Sequence, residues 1–215
     1  SSTRVDKSLC IATDSLNNVF IGGSFAYGSL DNDSYAGGGS ASKYFIMKFN
    51  TNGDNEWIKQ GDETIEIAYG ITTDSLGNIY VIVDSNYNKL KLIKFNTNGE
   101  QQWLTELSSG SNNLRPYDVE IDSMNNIFVT GSTSQDLDGN TNSGRKDIFL
   151  AKFNSSGTKK WTKQLGTTGD DVSRGISLHD DENIYIVGES KPNNENDTAI
   201  DGNAYNGKDA SFLIK

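Results

Sequence analysis

Apolar and polar positions along this chain group into short runs, and one such run returns four times. Ile11-Ala-Thr-Asp14-Ser-Leu-Asn-Asn-Val-Phe20 recurs as Ile71-Thr-Thr-Asp74-Ser-Leu-Gly-Asn-Ile-Tyr80. It returns as Val119-Glu-Ile-Asp122-Ser-Met-Asn-Asn-Ile-Phe128 and as Ile176-Ser-Leu-His179-Asp-Asp-Glu-Asn-Ile-Tyr185. In every copy two runs of β-formers flank a polar turn, the pattern of paired strands. A second motif follows the first three copies: Lys48-Phe-Asn-Thr-Asn-Gly53-Asp-Asn-Glu-Trp57, Lys94-Phe-Asn-Thr-Asn-Gly99-Glu-Gln-Gln-Trp103 and Lys152-Phe-Asn-Ser-Ser-Gly157-Thr-Lys-Lys-Trp161.

The third repeat shows how one unit divides. Tyr117–Asp122 and Asn126–Gly131 surround the first turn, and Asp147–Phe153 and Thr158–Leu165 flank Asn154-Ser-Ser-Gly157. That four-residue loop predicts a hairpin with a left-handed glycine. Connections this short exclude a parallel crossover, so the strands within each pair are antiparallel. Four antiparallel strands per repeat of this length predict a propeller blade. A parallel β-helix has shorter coils, and a sandwich does not repeat its own sequence. The expected fold is therefore an all-β propeller with blades at about 9–60, 67–107, 116–165 and 173–215, the last incomplete. Strand A of each blade would line the centre and strand D the rim.

Asp138-Gly-Asn-Thr-Asn-Ser-Gly144, Asp147-Ile-Phe-Leu-Ala-Lys-Phe-Asn154, Gly157-Thr-Lys-Lys-Trp161 and Gly169-Asp-Asp171 together resemble the bacterial β-propeller repeat family SBBP. The likeness runs over essentially the whole chain and is strongest in the third repeat. That family occurs largely in exported or surface-associated bacterial proteins, so the resemblance implies a location more than an activity. The Gly-x-x-x-Trp motif is also similar to the tryptophan-docking repeats of quinoprotein dehydrogenases. There, as physical packing would require, a large aromatic fills the space between neighbouring sheets. Paired cysteines and a compact Asp–Glu–Asn metal site, which those enzymes carry, are not discernible here.

In the fourth repeat Lys215 aligns with Lys48, Lys94 and Lys152, so the Phe, the hairpin and the Trp strand do not follow within these 215 residues. The spacing before Ile11 places the matching Trp ahead of Ser1. Two expectations stand: a piece of a larger propeller with further blades, or a four-bladed ring that closes without its last outer strand. An uncovered strand edge is a pairing hazard, which favours the first and admits an edge-strand partner.

Composition narrows the function classes. A formal net charge of -10 argues against nucleic acid as a partner, because phosphate binding requires a basic surface. No run of about 18 apolar residues is present to insert in a membrane. The single cysteine, Cys10, allows no intrachain disulfide and sits in an apolar run as a small hydrophobe would. Twenty-two glycines against two prolines point to tight turns.

Candidate chemistry concentrates in the loops. Asp14, Asp74 and Asp122 each open the first turn of a repeat, where an Asp bonds its own backbone as an Asx turn. His179 takes that place in the fourth repeat; it is the only histidine and has no His or Cys partner for a transition metal. The loops between the second and third strands are long in repeats one, three and four. In the third, Asp136, Asp138, Asn140 and Asn142 set oxygen-bearing side chains at alternate positions, the ligand type and spacing of a calcium loop. Asp201 and Asn203 repeat the Asp-Gly-Asn core in the fourth. Asp62-Glu63 and Asp170-Asp171 add carboxylates to the same expected face. The alternative is that Asp, Asn and Gly simply make turns and keep the protein soluble.

No Gly-x-Ser-x-Gly elbow and no second histidine are present for nucleophilic catalysis. The functional expectation is a non-enzymatic interaction scaffold that binds a protein or glycan through loops on one face. A structural component of a surface assembly, completed by neighbouring chains, is one alternative. A fragment of a propeller enzyme with its site at the channel mouth is the other.

Overall fold

The computed structural model describes residues 6–26, 42–61, 65–86, 89–108, 113–179, 183–191, 193, 200 and 210–215. Among them there are β-strands and no helices. The first sheet is β1 (Lys7–Thr13), β2 (Val19–Ala26), β3 (Ser42–Phe49) and β4 (Asn55–Gln60), paired in that order. The second is β5 (Glu66–Thr73), β6 (Ile79–Ser85), β7 (Lys89–Phe95) and β8 (Gln101–Ser108). The third is β9 (Leu114–Ile121), β10 (Ile127–Thr133), β11 (Asp147–Phe153) and β12 (Lys159–Leu165). The fourth has three strands: β13 (Asp170–His179), β14 (Asn183–Lys191) and β15 (Ala210–Ile214). These are the meandering four-stranded blades of a β-propeller, with the last blade incomplete.

Residues 1–86 and 91–105 form one compact unit, and residues 87–90 and 106–215 another. In the first unit β5 packs against β1, β2 and β3. Its core holds Phe20, Ile46, Ala68, Ile71, Val81 and Phe95, with Cys10, Ala12 and Trp57 packed at its margin. In the second unit β13 packs against β9, β10 and β11. There Phe128, Ile148, Ile176, Ile186 and Phe212 form the core, with Trp161 against it. Aligned positions thus do the same work in both units.

The middle strands explain the apolar runs of the sequence. Every residue of β6 and of β10 is buried, because a strand inside a blade is covered on both faces. β1 is covered on one face only: Cys10 and Ala12 meet the core while Leu9 and Ile11 are exposed. Each ladder between the first two strands of a blade carries a β-bulge at the same repeat position, skipping Leu9, Tyr69, Tyr117 and Arg174. Ladders between the third and fourth strands carry another, opposite Phe49 and Phe153. Bulges add local twist and re-aim side chains, and their recurrence gives each blade the same strand geometry.

Candidate functional site

The loop between β10 and β11, residues 134–146, is assembled from its own polar side chains. Asp138 and Gly139 both have positive φ, 53° and 80°, as the Asp-Gly centre of a type I′ turn requires. The turn closes with the Asn140 N–H donating to the Leu137 carbonyl at 3.0 Å. Asn140 Nδ2 donates to the carbonyls of Leu137 and Thr162, which ties the turn to β12. Leu137 is buried beneath it.

Among the described residues, Asp136, Asp138, Asn140 and Asn142, the four expected to ligate calcium in this loop, each have a protein partner. Asp136 Oδ1 accepts the Asn142 N–H at 2.8 Å, and Asn142 Oδ1 accepts the Gly144 N–H at 3.1 Å. Asp138 accepts the Thr162 hydroxyl at 2.5 Å and pairs with Lys159. Partial burial works against the Asp138 charge, yet the bonds from Lys159 and Thr162 and the Lys159 charge hold its carboxyl below the ordinary value. Asn142 Nδ2 turns back to the Thr133 carbonyl. The loop therefore brings Asp138 and Asn140 against Thr162 of β12, while Asp136 bonds Asn142 within the loop and Asn142 reaches the Thr133 carbonyl at the end of β10. Asp201 and Asn203 lie outside the described residues, as do Asp62 and Glu63. Among the described residues no three Asp, Glu, His or Cys side chains converge as a metal group.

Three further carboxylates accept hydrogen bonds in the third and fourth blades; the sequence reading named Asp171 and missed Asp118 and Asp147. Asp147 is buried at the start of β11; its Oδ2 accepts from Ser143 N–H and Gln164 Nε2, and its Oδ1 has no hydrogen-bond partner. Asp171 belongs to β13 and is buried, not part of an open acidic loop. Its Oδ2 accepts from Thr167 N–H and Oγ1, and its Oδ1 from Ser190 Oγ. Asp118 on β9 accepts the N–H of Ile176 on β13 at 3.0 Å. Burial pushes the Asp118 carboxyl up, and burial together with the Asp118 charge does the same to Glu120. Alternation and turn spacing carry no signal for these bonds, of which Asp118–Ile176 joins two blades.

The turn carboxylates behave as Asx turns. Oδ1 of Asp14, Asp74 and Asp122 accepts two backbone N–H groups each, from Leu16 and Asn18, Leu76 and Asn78, and Met124 and Asn126. The other oxygen accepts Nδ2 of the same asparagine. Asn17, Gly77 and Asn125 take the left-handed position that closes each turn. His179 pairs with Asn183 at the end of its hairpin and is exposed.

The family model of the SBBP β-propeller repeat matches residues 102–138 and 160–194, and in those two stretches the chain is similar to SBBP repeats. No curated protein matches it. Among solved structures, a protein of unknown function from Bacteroides caccae is similar at 10% identity and a TM-score of 0.54, over 86% of this chain and 54% of that one. A putative gluconolactonase is similar at 11% identity and a TM-score of 0.43, over 83% and 53%. Sqt1 from Chaetomium thermophilum follows at 12% identity and a TM-score of 0.46, over 91% and 44%. The chain spans about half the length of these solved structures. The first likeness is one of fold alone.

Proposed function

We propose that this β-propeller protein is a non-enzymatic binding module, exported or held at a bacterial surface, that grips a protein or glycan through the 134–146 loop. The observation that carries the reading is that this loop is pre-built. Its type I′ turn, its ties to β12 and its buried Leu137 fix the backbone before any partner arrives. Rigid scaffolds place recognition in such loops, and pre-organisation removes an ordering cost from binding. The surface location follows the family resemblance. Among the described residues the carboxylates that could do acid–base work, Asp118, Asp147 and Asp171, accept backbone or side-chain hydrogen bonds that hold strands together.

The test replaces residues 134–146 by the short connection that joins β6 to β7. Both forms are then screened on glycan arrays and against surface-protein extracts, with bound partners identified and titrated. The expected result is a partner whose affinity falls at least about tenfold on replacement, as loss of a central contact loop would produce. A partner bound equally by both forms overturns the assignment to this loop.

A further inference from the structure

The hairpin that joins the third and fourth strands of a blade changes its charge from one repeat to the next. Residues 48–57 hold one lysine and two carboxylates, and residues 94–103 one lysine and one carboxylate. Residues 152–161 hold three lysines and no carboxylate, in a chain whose net charge is -10. The acceptors have been exchanged while the donors were kept.

The first blade shows what the carboxylates do. Lys48 Nζ pairs with Glu56 at 2.8 Å, and Asn50 Nδ2 donates to Asp54 Oδ2 at 3.2 Å. In the second blade Asn96 Nδ2 donates to Glu100 at 2.7 Å, and Lys94 lies 3.8 Å from Asp74. The third blade keeps Lys152 and Asn154, but Thr158 stands in the place of Asp54 and Glu100, and Lys160 in the place of Glu56. The strand register makes this a replacement in space as well as in sequence. Trp57 lies opposite Lys48 and Asn55 opposite Phe49, which leaves Glu56 at the bulge. Trp161 lies opposite Lys152 and Lys159 opposite Phe153, which leaves Lys160 at the same bulge. Lys159 is engaged by Asp138. Lys152 is held over the Phe128 ring, 4.9 Å from its centroid. Among the described residues neither Lys152 nor Lys160 has an ion-pair partner. Asn154 Oδ1 is taken by Ser156 Oγ and the Thr158 N–H, both at 2.8 Å, and its Nδ2 meets no carboxylate there.

We infer that the β11–β12 hairpin is a binding site for an acidic glycan, whose uronate carboxylate takes the place that Glu56 fills in the first blade. Lys152 and Lys160 receive that carboxylate as Lys48 receives Glu56, by charge-assisted hydrogen bonds. Asn154 Nδ2 donates to a second oxygen, as Asn50 does to Asp54. The Ser156 and Thr158 hydroxyls, exposed at the tip, meet the hydroxyls of the sugar. A glycan fits this surface better than a peptide does. Residues 155, 156 and 158–160 are exposed and polar, and they offer none of the apolar anchors on which protein contacts depend. A uronate polymer presents charge and hydroxyls on every unit and needs no such anchor. The site shares no residue with the 134–146 loop, so either reading can fail without the other.

The probe is the trimer of galacturonic acid, titrated in calcium-free buffer into the isotope-labelled chain and followed by NMR. Saturable shifts of amides in residues 152–161 are expected, and binding should weaken as sodium chloride is raised. Lys160→Glu rebuilds the Lys48–Glu56 pair inside the third blade. It should weaken binding at least about tenfold, as loss of a hydrogen bond to a charged group does, with the melting temperature kept or raised. Lys160→Gln, which copies Gln102 of the second blade, should act in the same direction and serves if the first variant misfolds. Lys163→Glu makes the same change of net charge on the same strand and should leave binding within about twofold, since an exposed charge that touches no ligand is screened. Equal weakening by Lys163→Glu, equal binding of the neutral methyl ester, or absence of binding overturns the inference. Tighter binding of a glutamate trimer would assign the hairpin to an acidic peptide and overturn the glycan.

Discussion

Asp74 does the most of any single residue to close a turn. It accepts the Leu76 and Asn78 N–H groups, the Asn78 amide and the Tyr80 hydroxyl, the last at 3.0 Å. Asp14 and Asp122 stand beside Phe20 and Phe128, which lack that hydroxyl. Asp74→Ala is therefore expected to cost about 2–4 kcal/mol in urea unfolding, more than Asp14→Ala, and Tyr80→Phe about 1 kcal/mol. Burial works against the Asp74 charge, but the Asn78, Tyr80 and Leu76 hydrogen bonds outweigh it and hold the carboxyl below its ordinary 3.8. A carboxyl depressed in the folded state stabilises the protein above its unfolded pKa, and the contribution fades as pH falls through the folded one. Between pH 6 and pH 3 the wild type should lose more stability than Asp74→Asn. Equal losses would show that the turn does not depend on the charge. The Asx role was legible from Asp recurring before a left-handed Asn or Gly. The tyrosine bond was not, because Phe and Tyr are interchangeable in an apolar pattern.

At the level of strands and hairpins, the sequence displayed what repeats and hid what crosses between blades. The order of four antiparallel strands followed from motif spacing, and the glycine of each outer hairpin does have positive φ: 86° at Gly53, 73° at Gly99 and 77° at Gly157. The bulges, and the stacking of Lys94 over Tyr80 beside Trp103, arise from how pleated strands face one another, which a linear pattern does not encode. Gly53 and Gly99 separate the two contributions. Both need a left-handed backbone, so alanine at either costs about 1 kcal/mol. Gly53 has open space around it, whereas a Cβ on Gly99 presses on Trp57. Gly99→Ala should therefore cost about 1 kcal/mol more than Gly53→Ala by chemical denaturation. An equal cost would mean that the hairpin does not bear on the indole.

For the molecule as a whole, the dominant electrostatic fact is a net charge of -10. Self-repulsion of that size opposes the compact state and is relieved by salt, so sodium chloride should raise the melting temperature. Calcium chloride would do so as well, and the two effects separate only at matched ionic strength. A specific site must add to the screening, because a ligand bound only by the native state raises its midpoint. In the 134–146 loop the side-chain oxygens of Asp136, Asp138 and Asn142 are directed to Lys159, Thr162 and backbone N–H groups. A cation there would have to displace Lys159 and break the Asn142 cap. Asp-Gly-Asn is at once a ligand pattern and a type I′ turn, so its spacing alone did not distinguish the two. At matched ionic strength, calcium and sodium should therefore give the same midpoint. An additional rise with calcium that Asp138→Ala abolishes would make this loop a calcium site after all. A rise that persists in Asp138→Ala would direct attention to Asp201 and Asn203.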